Sequence, residues 1–259
     1  MMSASSAATP DGSASPASPG ESRHVLPPLP RAALLLDLDG TLIDIAATPD
    51  AVTVPADLLA SLQTLRMRLD GALAVISGRP VEQVVSLLGD AVATIAGEHG
   101  AAIRFTMDAP LQRVALPTVP ESWFAAGARI AAAHPGSLCE RKAHGFVLHY
   151  RQAPAAGPAL RAAMAALVDG SDRFAVAAAS MAWELRARGA DKGAAVRALM
   201  AHAPFAGRLP VFIGDDVTDE DGIAAARAMG GAGLRVPETF GTPEGVRTWL
   251  RAAAASGAW

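Results

Sequence analysis

The stretch LLLDLDGTLID, Leu34 to Asp44, closes an apolar run with two carboxylates, Asp37 and Asp39, followed at once by Gly40 and Thr41. Charge is costly to place in an apolar strand unless it is paired or put to use. Ala32–Leu38 reads as a fully buried strand of the kind found in parallel sheets. Side chains at the carboxyl end of such a strand emerge into the crevice where α/β proteins bind ligands. Asp37 and Asp39 are two residues apart and so face the same side, and Gly40 allows a sharp turn away. Two clustered carboxylates suit a hard cation such as Mg²⁺, and one of them can act as a nucleophile toward phosphorus. The plainer alternative is a strand that ends in a solvated acidic turn.

Outward from this strand the pattern is strand–helix alternation. Pro55–Leu69 carries a leucine stripe (Leu58, Leu59, Leu62, Leu65, Leu69), Ala72–Ile76 is a second apolar strand, and Pro80 opens a helix that Gly89 stops. Val92–Ala96 is a third strand candidate. From about Phe105 to Arg186 the character changes: mixed strands at Leu138–Lys142, Gly145–Arg151, Phe174–Ala178 and Met181–Arg186 flank helices near Glu121–His134 and Pro158–Leu167. The alternation then resumes with a helix at Lys192–His202, a strand at Pro210–Ile213 and a helix from Asp219. The expected fold is α/β, a Rossmann-like parallel-sheet core (residues 31–104 and 187–259) interrupted by an inserted α+β cap (residues 105–186).

Composition narrows the function. The 259 residues are 51% hydrophobic and 18% charged with a net charge of −3, enough for a large core and without a basic field for nucleic acid. No apolar stretch reaches the roughly 18 residues of a membrane span. Residues 1–30, rich in Ser, Ala, Pro and Gly, read as a disordered leader without the basic and apolar regions of a secretory signal. The single Cys139 excludes an internal disulfide and suits the cytoplasm. A small-molecule ligand and a monomer are expected.

Three further patches carry chemistry. Ser77-Gly78-Arg79 joins a strand to a helix, where a hydroxyl, a free amide and a helix N-terminus make an anion site or an ordinary helix turn. Lys192 opens a helix, the unfavourable end for a cation, so it either answers to an anion or lies on the surface. Gly214-Asp215-Asp216-Val-Thr-Asp219-Glu-Asp221 holds five acids in the seven residues from Asp215 to Asp221. Thr218 as helix cap accounts for the later acids and leaves Asp215 and Asp216 to metal ligation. Together the patches supply what metal-assisted phosphoryl transfer requires.

D-x-D-G-T, the strand-end Ser, the Lys and the G-D-D resemble the haloacid dehalogenase-like phosphatases. LDLDGTL, ALAVISGRP, GEHGA, the run Glu140–Pro154 (ERKAHGFVLHYRQAP) and FIGDDVTDE are similar to the trehalose-6-phosphate phosphatase family in particular. The resemblance implies Asp37 as nucleophile and Mg²⁺ ligand. It implies Asp39 as a ligand through its carbonyl and as acid/base through its side chain. Ser77 would bind a phosphoryl oxygen, Lys192 would neutralise the nucleophile–phosphate pair, and Asp215 would ligate Mg²⁺ with Asp216 or Asp219 in support. Leu38, Gly78 and Arg79 would line the substrate site, Arg79 either touching substrate or pairing with an acid. Glu140, Lys142 and Glu184 would grip trehalose hydroxyls; the alternative for Glu140 and Lys142 is a solvated strand face. His99, His144 and His149 read as surface or cap-packing residues.

The chain departs from the family pattern at Ala102, at Ala187 and after Gly233, which bears on the sugar pocket and leaves the phosphoryl-transfer residues intact. The implied activity is Mg²⁺-dependent release of trehalose and phosphate from trehalose 6-phosphate through an aspartyl-phosphate. The rivals are a phosphatase of sucrose or glucosylglycerol phosphate, and a non-catalytic sugar-phosphate-binding regulator.

Overall fold

Leu34, Leu35 and Leu36 are fully buried because the strand that carries them, β1 (Ala32–Leu36), lies inside a seven-stranded sheet covered on both faces. The computed structural model describes residues 26–46, 52–142 and 144–259. The other strands of this sheet are β2 (Leu73–Ile76), β3 (Thr94–Gly97), β4 (Ala102–Arg104), β5 (Gln112–Arg113), β10 (Leu209–Gly214) and β11 (Ala232–Arg235), in the order β11-β10-β1-β2-β3-β4-β5. Pairing is parallel from β11 to β3 and antiparallel for β4 and β5. The helices of this unit are α1 (Ala56–Arg68), α2 (Val81–Leu88), α5 (Lys192–Met200), α6 (Glu220–Ala228), α7 (Val236–Thr239) and α8 (Pro243–Ser256).

The order places the site. β10, β1 and β2 are adjacent, with Leu36 level with Ile213 on one side and Val75 on the other. Asp215, Asp37 and Ser77 therefore leave neighbouring strands at the same sheet edge. The buried leucine stripe of α1 (Leu58, Leu62, Leu65) packs into the core as its spacing requires. Pro55 and Pro80 stand just before α1 and α2, where their missing N–H costs nothing, and Gly89 ends α2 at φ +52°.

Between β5 and α5 the chain builds a second sheet from β6 (Leu138–Lys142), β7 (Gly145–His149), β8 (Phe174–Ala179) and β9 (Ala182–Ala187), all antiparallel, in the order β6-β7-β9-β8. Helices α3 (Glu121–Ala132) and α4 (Gly157–Leu167) supply a separate core with Phe146, Leu148 and Leu185. Because strands alternate, the opposite face carries the polar residues. Glu140, Val147 and Glu184 are level across three strands, and Lys142, Gly145 and Arg186 form another level row.

Three features differ from the sequence-based expectation. The main sheet continues past Arg104 through β5, because the chain folds back antiparallel on β4 before leaving it. Leu26 and Leu29 pack against the main core, and Leu29 is buried, so ordered chain begins before Arg31; residues 1–25 lie outside the described residues. The cap of the turn after β10 is Asp216, whose Oδ1 accepts the Val217 N–H at 2.6 Å, in place of Thr218. Among the described residues no helix is long and apolar enough to cross a membrane.

Candidate active site

Asp37 is held by its neighbours from both sides. Its backbone N–H donates to Ile213 O of β10 at 2.9 Å, and its side chain, 5% exposed, receives the Lys192 ammonium at 2.6 Å. Lys192 donates equally to Asp219 Oδ1, also at 2.6 Å. The other Asp219 oxygen accepts the backbone N–H groups of Asp215 and Asp216, each at 3.0 Å. Both oxygens of Asp219 are thus committed, which makes it the brace of the cluster. Lys192 sits at the start of α5 because Asp191 caps that helix, accepting the Ala194 N–H at 2.6 Å, and so the lysine faces inward to its two carboxylates.

The electrostatics follow from burial. Desolvation pushes the Asp37 carboxyl well above the ordinary carboxylate range, the Lys192 charge pulls it back, and Asp219 and Asp215 push it up again. Burial works against the Lys192 ammonium, yet Asp37 and Asp219 outweigh it and the lysine is held charged. Asp215 is likewise raised, first by burial and then by Asp219 and Asp216.

Carboxylate oxygens of Asp37, Asp215 and Asp219 lie within 4.8 Å of one another. A hard-donor set this crowded, with one ammonium among three acids, fits a divalent cation with oxygen preference. Asp219 is engaged by Lys192 and two amides, which leaves Asp37 and Asp215 as the members of the group with carboxylate oxygen to spare. Asp216 turns to its capping role. The turn that admits this cluster depends on Gly40, at φ +83°, where a Cβ would run into the Asp215 carboxylate. Gly40→Ala is therefore expected to lower stability by about 1–3 kcal/mol and to weaken metal binding, read by urea unfolding and by metal-dependent stabilisation. A variant as stable and as metal-responsive as the parent would contradict this account.

Beside the acids, Arg79 clasps Asp39 with two bonds, Nε to Oδ2 and Nη2 to Oδ1, each at 2.7 Å. Ser77 Oγ accepts the Arg79 N–H at 3.1 Å, which tightens the turn at the end of β2. These groups open into a cavity of about 650 Å³ shared with the smaller sheet, whose wall carries Glu140, Lys142, Glu184 and Arg186. The volume lies within the roughly 300–1,000 Å³ of ligand clefts. Glu184 is buried, while Glu140 is half exposed and meets His149 Nε2 at 2.8 Å. Leu38 is fully buried among apolar neighbours and does not line the cavity; Gly78 does.

The structure adds residues that the sequence reading did not select. Glu98 and His99 also line the cavity, in consecutive left-handed conformations with φ of +53° and +56°. Glu98 accepts Arg113 Nη1 at 3.1 Å and lies 3.6 Å from His144 Nε2. Arg186 approaches Asp221 at 3.7 Å across the two units. Burial, followed by the charges of Lys192, Arg186 and Lys142, pushes His99 down from 6.5 to about 3, so it is neutral. The unfolded chain then takes up a proton below about pH 6.5 that the folded chain refuses until about pH 3. Stability contributed by neutral His99 is lost as pH falls through that window, by up to about 1.4 kcal/mol per pH unit. His99→Gln should flatten the slope between pH 6.5 and 4 in denaturant titrations; an unchanged slope would refute the assignment.

Comparisons with known proteins converge on one family. The family profile described as Trehalose-phosphatase matches residues 35–237. The trehalose-6-phosphate phosphatase of Escherichia coli (strain K12) is 38% identical over 205 residues, which span 79% of this chain and 77% of the relative. A probable trehalose-phosphate phosphatase of Sinorhizobium fredii is 40% identical over the same length, with the same coverage of each chain. Among solved structures, the C-terminal domain of the C. albicans trehalose-6-phosphate phosphatase aligns with a TM-score of 0.70 at 22% identity, covering 87% of this chain and 93% of that one. The chain belongs to the trehalose-phosphatase family, phosphoric monoester hydrolases on the haloacid dehalogenase-like α/β fold.

Proposed function

We propose that this protein hydrolyses trehalose 6-phosphate to trehalose and phosphate through an aspartyl-phosphate on Asp37, with Mg²⁺ as cofactor. The observation that carries this reading is one cavity with two unlike walls. Asp37, Lys192, Ser77 and Arg79 come from the main unit, and Glu140, Lys142 and Glu184 come from the four-stranded sheet. Charge-assisted hydrogen bonds from carboxylate and ammonium groups suit a dense array of sugar hydroxyls. On this reading the four-stranded unit is the cap over a core that performs the chemistry, and its contact with the sugar excludes water.

Asp37 Oδ attacks phosphorus and the bond from phosphorus to the sugar oxygen breaks. Asp39 gives its proton to that oxygen, releasing trehalose, then takes a proton from the water that attacks the aspartyl-phosphate; phosphate leaves and Asp37 is restored. The Arg79 clasp occupies both Asp39 oxygens in the resting protein. A substrate phosphate competes for the same guanidinium and frees Asp39 to carry the proton. Lys192 holds Asp37 in line and offsets charge as the phosphoryl group arrives, and Ser77 binds one of its oxygens. Mg²⁺, held by Asp37 and Asp215 with the Asp39 carbonyl, would neutralise the phosphoryl oxygens.

The test is a panel of trehalose, sucrose, glucosylglycerol and glucose phosphates, assayed for phosphate release with Mg²⁺ and with chelator. Trehalose 6-phosphate should have the highest kcat/KM by at least about tenfold, and chelation should abolish turnover. Preference for another sugar phosphate would replace the substrate, and full activity in chelator would remove the metal.

A further inference from the structure

We propose that His99 is a positioning residue for Glu184, holding that carboxylate in the orientation that receives a sugar hydroxyl and so setting the affinity for the disaccharide. The inference rests on the proposed substrate and extends it to a residue of the core.

His99 is fixed with unusual insistence. It and Glu98 occupy left-handed conformations, which are strained for residues with side chains and persist only where the surroundings over-determine them. Two bonds staple this turn to the phosphate-side segment: Glu98 N–H donates to Arg79 O and His99 N–H to Ser77 O, both at 2.9 Å. The imidazole lies over Gly78, where a Cβ would stand 2.8 Å from the ring, so the ring fills a place that only glycine leaves open. The turn also joins antiparallel β3 to β4, with Gly97 and Ala102 paired across its ends, and it carries the ring to the cavity.

What it faces is Glu184, on β9 of the other unit, with Nε2 3.8 Å from Oε2. Among the described residues no hydrogen bond reaches the Glu184 carboxylate, and the imidazole is the basic group against it. The other ring nitrogen, Nδ1, is buried without a partner. An orphaned lone pair is tolerated better than an orphaned N–H, which assigns the proton to Nε2, on the side of Glu184. Burial first, and then the charges of Lys192, Arg186 and Lys142, keep the ring neutral, and a neutral ring preserves this division between one donor and one acceptor. His99 thereby links the segment that binds phosphate to the residue that reads the sugar.

The experiment is a mutant cycle on the full chain with two substrates, trehalose 6-phosphate and p-nitrophenyl phosphate, an aryl ester that does not engage the sugar wall. The variants are His99→Phe, His99→Gln, Glu184→Gln and His99→Phe with Glu184→Gln. His99→Phe should raise KM for the sugar phosphate about tenfold with kcat changed less than about threefold, and leave kcat/KM for the aryl ester within about twofold. His99→Gln, which restores an N–H donor, should recover most of the affinity. The double variant should be no worse than Glu184→Gln alone, because residues acting through one contact are not additive. Multiplicative losses in the double variant, an equal loss on the aryl ester, or an unchanged KM would each overturn the assignment. A parent that turns over the aryl ester and leaves trehalose 6-phosphate intact would overturn the substrate reading and this inference with it. An active parent with multiplicative losses would overturn this inference alone.

Discussion

Asp37→Asn is expected to lower phosphate release by at least about a thousandfold while leaving a folded protein, because an amide oxygen lacks the nucleophilicity of a carboxylate. The substitution is close to isosteric. The Asn oxygen still accepts from Lys192, which retains Asp219 as its charged partner. One buried charge is removed from a place where desolvation already works against it. Unfolding temperature should therefore change little, and loss of turnover cannot be assigned to loss of structure. Rapid quench of the parent should yield a phosphoryl adduct on the peptide carrying Asp37, absent from the variant. Retention of more than a few per cent of activity would sink the covalent mechanism.

The second large effect belongs to Lys192. Removing one partner from a buried ionic cluster leaves the others uncompensated, at a cost of about 3–5 kcal/mol. Lys192→Met keeps the length and volume of the side chain and removes only the charge, leaving Asp37 and Asp219, both buried, with like charges and no ammonium between them. Urea unfolding should register the loss. It should shrink when divalent cation is added, because the ion supplies positive charge at the same place. Turnover should fall by a hundredfold or more, since on the proposed mechanism Lys192 also steadies the arriving phosphoryl group. Stability within about 1 kcal/mol of the parent would show that the cluster is less tightly coupled than its short distances imply.

Much of this was readable before any coordinates. An apolar run that ends in D-x-D signals a buried strand with side chains delivered to a crevice, and the same logic located Asp215 after β10 and Ser77 after β2. Lys192 was flagged by standing at the wrong end of a helix, and it does answer to carboxylates. The mixed strands β6 to β9 were legible from their alternation. The later and shorter elements were not. β4 and β5 are three and two residues long, too short for a period to show. α8 carried its own signals, Thr242 as cap and Pro243 in the first turn, which were passed over. Thr218 and Asp216 both qualify as caps by composition, and only the path of the chain after β10 decides between them. His99, read as a surface or cap-packing residue, is instead largely buried in the core turn and lines the cavity, and Glu98 was not singled out; a left-handed backbone at a non-glycine residue leaves no mark in the sequence.

Arg247, buried on α8, donates to Leu42 O at 3.1 Å and to Asp44 Oδ2 at 3.1 Å, while Glu244 accepts from its Nε at 2.9 Å. The loop it reaches is the one that follows Asp39, whose Leu42 and Ile43 amides close back on Leu38 O. This single guanidinium joins segments near opposite ends of the chain into one opening unit. In hydrogen exchange, the amides of Leu42 and Ile43 would share the protection of α8 and not the faster exchange of a surface loop. On the proposed mechanism the mount of Asp37 would then yield only with the last helix, and sequence drift in α8 would act on catalysis through the time the site spends assembled.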